Sequence, residues 1–276
     1  MRTRPMQPLV PDWPAPDNVR ALCTTRAGGV SVGACASLNL GEHVGDAPRA
    51  VAENRVRLRS AIGVRPVFLR QVHGTDVVPL DADTPDASGV IAADACTTTD
   101  AGIACTIMVA DCMPVLFTDE AGYRVAAAHA GWRGLAAGVL ERTFGAFAAD
   151  SVETDAERAV DAETVGGALQ RGALKKIAWL GPCIGPKVFE VGPEVKAAFE
   201  VHSADAASCF RPGAAPGKWL ADLPALARQR LRAMGVSAVY GNDGSDAWCT
   251  VSNASQFFSY RREAGSGRFA ALIWKV

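Results

Sequence analysis

The chain has 276 residues, of which 49% are apolar and 21% charged, so it can bury a core as one large domain or two small ones. Its formal net charge of −1 excludes the basic footprint of a nucleic-acid-binding protein and a polybasic membrane patch. Residues 1–16 lack the apolar segment of a secretory signal, and Asp111 and Pro114 interrupt the longest apolar run, so we expect a cytoplasmic protein.

The first half of the chain predicts mainly strands. Pro48 can occupy the first turn of a helix over 48–62, which Gly63 would end. The continuous β-rich apolar run at 103–109 is typical of a central strand. The other predicted strands cover 19–24, 67–72, 75–80, 115–118 and 123–128, and a polar loop covers 81–89.

The second half of the chain mixes helices with strands. Helices are predicted at 134–147, 192–199 and 223–234, and strands at 176–180, 236–240 and 268–274. Residues 150–170 are acidic and alanine-rich, which indicates either an exposed helical insertion or a flexible loop. Because strands and helices do not alternate strictly, the pattern predicts an α+β fold with mixed β-sheets covered by helices rather than a Rossmann fold.

Three segments combine a soft metal ligand with a tight turn beside an apolar run. Their ligands are His73, Cys112 and His129, each close to a glycine or a proline. Two imidazoles and one thiolate suit a catalytic zinc whose fourth position stays open to water. The three residues lie too far apart in sequence for a one-helix motif, so they would have to converge through the tertiary fold.

A more ordinary interpretation of these residues stays open. A histidine beside an apolar strand is more often hydrogen-bonded than metal-bound, and a lone cysteine usually packs in a core. The occurrence of all three together, with Asp111, Trp132 and Arg133 as neighbours, favours a shared site without proving one.

Other catalytic signals are missing from the sequence. It contains no G-x-S-x-G motif, no G-x-G-x-x-G fingerprint and no P-loop, so a serine triad and the usual nucleotide cofactors lack support. The eight cysteines form no C-x-x-C pair, which argues against a structural zinc knuckle. Cys183 lies in a Gly/Pro-rich turn, but a catalytic role there would need a nearby base that the sequence does not offer.

Ordered blocks along most of the chain carry a resemblance to a known family. They lie at 25–31, 37–41, 44–46, 71–74, 110–114, 129–134, 181–185 and 258–262. In these blocks the chain resembles the YfiH/laccase-domain family, also described as multicopper polyphenol oxidase-like proteins and peptidoglycan editing factors. The resemblance implies one compact α+β domain over 1–276, of the fold shared with a toxin cysteine-hydrolase domain, with 150–172 as a surface insertion.

The resemblance also implies a site and an activity. It implies zinc bound by His73, Cys112 and His129, phosphorolysis of adenosine, inosine, guanosine or methylthioadenosine, and deamination of adenosine. We expect Cys112, Asp111 and His129 to be catalytic, with Asp111 orienting water or moving a proton. Arginine suits phosphate through its planar fork of donors, so Arg70 and Arg133, which adjoin two ligand turns, are the expected phosphate contacts. Ser37 and Asn39 are the expected nucleoside contacts.

The family's names leave competing functions open. Copper could occupy the same site, but a multicopper oxidase needs many imidazoles, and this chain has four histidines and no His-x-His pair. A peptidoglycan-editing hydrolase acting on cell-wall precursors is a further possibility. A non-catalytic protein with a structural zinc is another, and a fourth ligand such as His43 or His202 would favour it. We expect small molecules as the only partners, with no nucleic acid or membrane, and a monomer.

Overall fold

The computed structural model describes residues 5–85, 90–149 and 174–276. Within these residues the strands form three sheets, which confirms the α+β class. The predicted insertion at 150–172 lies outside the described residues, and a single domain over 1–276 stays a prediction. None of the helices in the described part of the chain is long and apolar enough to cross a membrane.

The first sheet has four strands in the order β1-β13-β5-β2. Its strands β1 and β13 join the two ends of the chain in an antiparallel pair, β13 pairs antiparallel with β5, and β2 pairs parallel with β5. The bounds are β1 (Val19–Cys23), β2 (Arg65–Phe68), β5 (Ile103–Val109) and β13 (Phe269–Lys275).

The second sheet has six strands in the order β12-β8-β6-β7-β4-β3. It is mixed, because β12–β8 and β3–β4 are parallel pairs and the other pairs are antiparallel. The bounds are β3 (Val77–Pro79), β4 (Ala95–Thr98), β6 (Met113–Asp119), β7 (Val125–Ala130), β8 (Lys176–Leu180) and β12 (Ala238–Gly241). A small third sheet joins β9 (Glu190–Val191), β10 (Phe210–Pro212) and β11 (Trp219–Ala221).

The two large sheets pack against each other, and helices cover their outer faces. Alternate residues of each strand face opposite sides, so Leu116 of β6 meets Ile107 and Ile273 between the sheets while Val115 and Phe117 face away. The helices are α1 (Pro48–Ile62), which covers the four-stranded sheet, and α2 (Trp132–Ala137), α3 (Val139–Ala149), α4 (Pro193–Glu200) and α5 (Leu223–Ala233) on the side of the six-stranded sheet.

The helix predicted at 134–147 is two helices. Gly138 ends α2 with a φ of 99°, a left-handed conformation that glycine adopts without steric cost, and α3 begins at the next residue. The helical periodicity of the surrounding alanine and leucine residues hides this break.

Candidate metal centre

Two turns and the end of one strand carry the predicted ligands at one edge of the two sheets. His129 lies on β7 and shares its inward face with Val125 and Ala127. Cys112 lies on the turn from β5 to β6, and β6 pairs with β7 so that Pro114 is opposite His129. His73 follows β2 and has a φ of 62°, which turns the chain sharply before Gly74.

These three segments bring the ligands together. One nitrogen of each imidazole and the thiol sulfur all lie within 4.8 Å of one another. The distance from Cys112 Sγ to His73 Nε2 is 3.7 Å, close to the roughly 3.6 Å that tetrahedral zinc bonds to sulfur and nitrogen would give. The predicted convergence through tertiary structure is therefore present, and the donor set fits a zinc ion.

A buried carboxylate that the sequence did not single out holds two of these ligands in place. Asp94 precedes β4, where the antiparallel register of β4 and β7 sets it opposite His129. Its Oδ1 lies 2.8 Å from His129 Nδ1, which leaves Nε2 of that ring to face a metal. The same carboxylate accepts hydrogen bonds from the backbone N–H groups of Val72, His73 and Gly74, at 3.1, 2.9 and 2.7 Å.

The electrostatics of Asp94 match this role. Burial raises the pKa of its carboxyl group, but the hydrogen bond with His129 and those from the backbone of Gly74 and Val72 outweigh it and keep the pKa below its usual value. An aspartate in the apolar context of residues 91–96 was the available sequence signal, because a buried carboxylate needs several donors.

Cys112 and His129 shift each other's titration. Burial raises the pKa of the Cys112 thiol, but the adjacent His129 and His73 rings bring it down to about 6. Burial lowers the pKa of His129, but Cys112 and Asp94 raise it to about 9. The metal-free protein therefore holds a thiolate beside an imidazolium near neutral pH.

The cluster opens into a cavity of 440 Å³. Arginine side chains and apolar or aromatic side chains line most of the rest of it. Its further lining residues are His43, Gln71, Met108, Val109, Ala110, Asp111, Trp132, Arg133, Ile184, Phe189, Tyr260, Arg261 and Arg268. A space of this size suits a small-molecule ligand.

Two of the predicted site residues beyond the ligands reach this cavity. Asp111 lines it with a φ of 91°, and its carboxylate accepts hydrogen bonds from Thr250 Oγ1 at 2.6 Å and from the backbone N–H of Arg261 at 2.7 Å. Arg133 lines it with its guanidinium 4.5 Å from the centre of the Trp132 ring.

The other predicted substrate residues lie away from the cavity lining. Asn39 is buried, and its amide binds the backbone of Gly41 and Arg268. Ser37 Oγ donates to the backbone oxygen of Arg26. Arg70 is exposed, and its backbone pairs with residues 91–92. The structure gives Asn39 and Ser37 roles in holding the loop at 37–41, and their contact with substrate stays a prediction.

The two candidate fourth ligands also lie outside the cluster of three. His43 lines the same cavity without joining the close group of ligand atoms. His202 lines a second cavity, beside Phe199 and Leu226. The group that could hold a metal among the described residues is therefore His73, Cys112 and His129, and all three residues line the cavity.

Residues 20–276 match the family model described as multi-copper polyphenol oxidoreductase laccase. The chain belongs to this family. It is 51% identical to a purine nucleoside phosphorylase of Pseudomonas aeruginosa, covering 96% of this chain and 97% of the relative. It is 46% identical to purine nucleoside phosphorylase YfiH of Escherichia coli, covering 97% and 98%. The resemblance inferred from the sequence blocks is confirmed.

Solved structures of relatives share the fold. A Neisseria meningitidis protein is 45% identical and superposes with a TM-score of 0.82 over 99% of both chains. YlmD from Geobacillus stearothermophilus is 29% identical, with a TM-score of 0.75 over 94% of this chain and 92% of that one. The YfiH-like fold that the resemblance implied is confirmed as well.

Proposed function

We propose that this protein is a zinc-dependent purine nucleoside phosphorylase with adenosine deaminase activity. The observation that carries the proposal is the His73–Cys112–His129 cluster at the end of an arginine-lined cavity. Relatives named purine nucleoside phosphorylase at 46–51% identity over nearly the full length support the phosphorolytic part. Its substrates would be adenosine, inosine, guanosine or methylthioadenosine together with orthophosphate.

Phosphorolysis exchanges one bond at the sugar. An oxygen of orthophosphate forms a bond to C1′ while the C1′–N9 bond breaks, and its electron pair leaves with the purine, which takes up a proton. The cavity contributes positive charge for the phosphate, from arginines such as Arg133, and apolar surface for the base, from Trp132 and Phe189. The reaction also needs a group that donates this proton to the departing purine.

Deamination of adenosine would use the same cavity with water in place of phosphate. Water adds at C6 and ammonia leaves, giving inosine. A zinc ion held by His73, Cys112 and His129 would supply a Lewis acid that activates water near neutral pH. Asp94 fixes the ring of His129, and Asp111 presents a carboxylate to the cavity that can orient water or accept a proton.

Oxidation of phenols with copper is a second candidate because of the description of the matching family model. Two imidazoles and a thiolate also bind copper, and a site of this kind binds copper more strongly than it binds zinc. The close cluster found among the described residues offers three ligands for one ion, and the whole chain has four histidines, which is few for a multicopper centre. Editing of cell-wall precursors stays a hypothesis from the sequence resemblance.

The deciding experiment follows adenosine under anaerobic conditions, with and without orthophosphate. The proposal expects adenine only with phosphate and inosine without it, both abolished in His73→Ala. His202→Ala is the matched control, because it removes a histidine from a different cavity, and it should keep both activities. The copper oxidase hypothesis would replace this proposal if the protein oxidised phenols only in the presence of oxygen and did not convert adenosine.

A further inference from the structure

Arg268 is a cavity residue that the sequence did not single out. It immediately precedes β13, is half-buried, and lines the cavity that holds the ligand cluster. Its Nη1 donates to the backbone oxygens of Ser266 and Gly267, at 2.6 and 3.2 Å. Its stem packs against Gly41, where an added Cβ would lie 2.8 Å from Cγ of Arg268. The guanidinium is therefore held in one orientation toward the cavity.

Its charge lacks a carboxylate partner. Two other half-buried arginines are paired, Arg55 with Glu42 at 2.9 Å and Arg230 with Glu141 at 2.6 Å. Across residues 5–85, 90–149 and 174–276, Arg268 makes no such ion pair. Arginine stays charged in proteins, and a partly desolvated cation with donors to spare is costly unless an anion reaches it.

The acidic groups that raise the pKa of Arg268 most are Cys112 and Asp111, against the larger effect of burial, which lowers it. Both carboxylate oxygens of Asp111 accept other hydrogen bonds, and Cys112 belongs to the metal cluster. The donors of Arg268 that remain are therefore available to an anion that enters the cavity from outside.

A second arginine lies in the same lining. Arg261 is exposed, and its guanidinium lies 5.7 Å from the centre of the Phe189 ring. Within the part of the chain that the structure describes, its guanidinium donates only long hydrogen bonds, of 3.3 to 3.5 Å, to the backbone oxygens of Val188 and Glu190. Its backbone N–H binds Asp111, which ties the segment carrying this arginine to the turn carrying Cys112.

We infer that Arg268 and Arg261 form the orthophosphate site of the cavity. This inference rests on the proposed phosphorylase function and assigns its second substrate to residues outside the ligand turns. It differs from the sequence-based expectation, because Arg70 lies outside the cavity lining while Arg133 reaches it stacked on Trp132. The bound phosphate supplies the oxygen that forms the bond to C1′ as the bond to the purine breaks.

The test compares Arg268→Gln, Arg268→Lys and Arg261→Gln with Arg49→Gln. Arg49→Gln is the matched control, because it removes an exposed arginine of α1 that is outside the cavity lining. Two readouts are needed: KM for phosphate and for inosine in steady-state turnover, and calorimetric binding of orthophosphate without nucleoside. Zinc content and circular dichroism of each variant show whether the fold is intact.

Arg268→Gln should raise KM for phosphate and its dissociation constant about 10- to 100-fold while changing KM for inosine less than about two-fold. Arg268→Lys should give values of phosphate KM and dissociation constant between those of the wild type and Arg268→Gln, because lysine keeps the positive charge but lacks the planar set of donors. Arg261→Gln should weaken phosphate binding by a smaller factor. Because the side chain of Arg261 is exposed, this variant tests the site even if Arg268→Gln fails to fold. Arg49→Gln should match the wild type.

The outcomes separate this inference from the function on which it rests. Normal phosphate KM and binding in Arg268→Lys and Arg261→Gln, in an enzyme that performs phosphorolysis, would overturn the site and leave the function standing. Phosphate binding that depends on Arg268, in a protein that turns over no nucleoside, would leave the site and remove the function. A wild-type protein that neither binds phosphate nor uses it would remove both.

Discussion

Asp94 joins two of the three ligand segments, so its carboxylate should matter more for metal binding than its absence from the ligand set suggests. Asp94→Asn replaces a charged acceptor of three backbone N–H groups and of His129 Nδ1–H. We expect zinc affinity to fall about 10- to 100-fold, as measured by chelator competition. Asp246→Asn is the control, because that carboxylate is exposed and pairs with an exposed lysine. Equal affinity in the two variants would refute this role.

The thiol of Cys112 should be reactive in the metal-free protein at unusually low pH. Its pKa of about 6 lies below the usual thiol value, so alkylation by iodoacetamide should rise with a midpoint near pH 6. The other seven cysteines are buried, so one site should be labelled. His129→Ala removes the main group that lowers this pKa, and burial, which raises it, then dominates, so the midpoint should move upward. An unchanged midpoint in His129→Ala would contradict the coupling.

The titrations of His129 and Cys112 change the stability of the metal-free fold in opposite directions as pH rises. The folded pKa of His129 is raised to about 9, so its contribution to stability is present below the unfolded value of about 6.5 and lost as pH rises through 9. The folded pKa of Cys112 is lowered to about 6, so its contribution is present above the unfolded value and lost as pH falls through 6. The two slopes oppose each other between pH 6 and 9. Thiol reactivity therefore reports the pair better than unfolding does.

At the scale of elements, the turn between β7 and α2 must let two ligands approach it closely. A Cβ at Gly131 would lie 2.8 Å from Cys112 Sγ and 3.1 Å from His73 Cδ2. Gly131→Ala should therefore separate these ligands and lower zinc affinity about 10-fold or more, while the backbone, with φ of −65°, tolerates alanine. Gly145→Ala in α3 meets no atom within 4 Å and should leave zinc affinity unchanged. Chelator competition on both variants decides the point.

The elements that the sequence predicted best are those with strong local signals. The helix at Pro48–Ile62 and the strand at Ile103–Val109 have the predicted bounds, because a proline and a glycine bracket the first and an unbroken β-rich run forms the second. The strand β4 was missed because it has only four residues, Ala95–Thr98, all of them buried, which is too short a run to show a clear hydrophobic period. Its position is set by pairing with β7, which local sequence does not encode.

The residues of the candidate site also differ in whether local sequence can predict them. Its three ligands stand out as rare residue types beside turns, so the sequence could nominate them. Asp94 meets His129 through the pairing of β4 with β7, and Arg261 and Arg268 reach the cavity through the tertiary fold, neither of which local sequence encodes. Ser37 and Asn39 donate hydrogen bonds to the backbone oxygens of Arg26 and Gly41, and their contact with substrate stays a prediction.

At the scale of the whole molecule, the ligand cluster connects the two large sheets. Cys112 lies on the connection from β5 to β6, which passes from the four-stranded to the six-stranded sheet. His73 follows β2 of the first sheet, and His129 belongs to β7 of the second. An ion bound to all three would therefore link the sheets across the edge where the cavity opens.

Zinc binding should for this reason stabilise the entire fold. A ligand that binds only the folded state adds about 2.7 kcal/mol at 100 times its dissociation constant, and for a chain of this size each kcal/mol raises Tm by about 2 to 4 °C. We expect thermal melting to shift upward by about 5 to 10 °C between chelator and zinc. His73 is exposed, so His73→Ala should melt like the metal-free wild type and lose most of the zinc response, whereas His202→Ala should keep it. A full zinc response in His73→Ala would mean that the ion binds elsewhere.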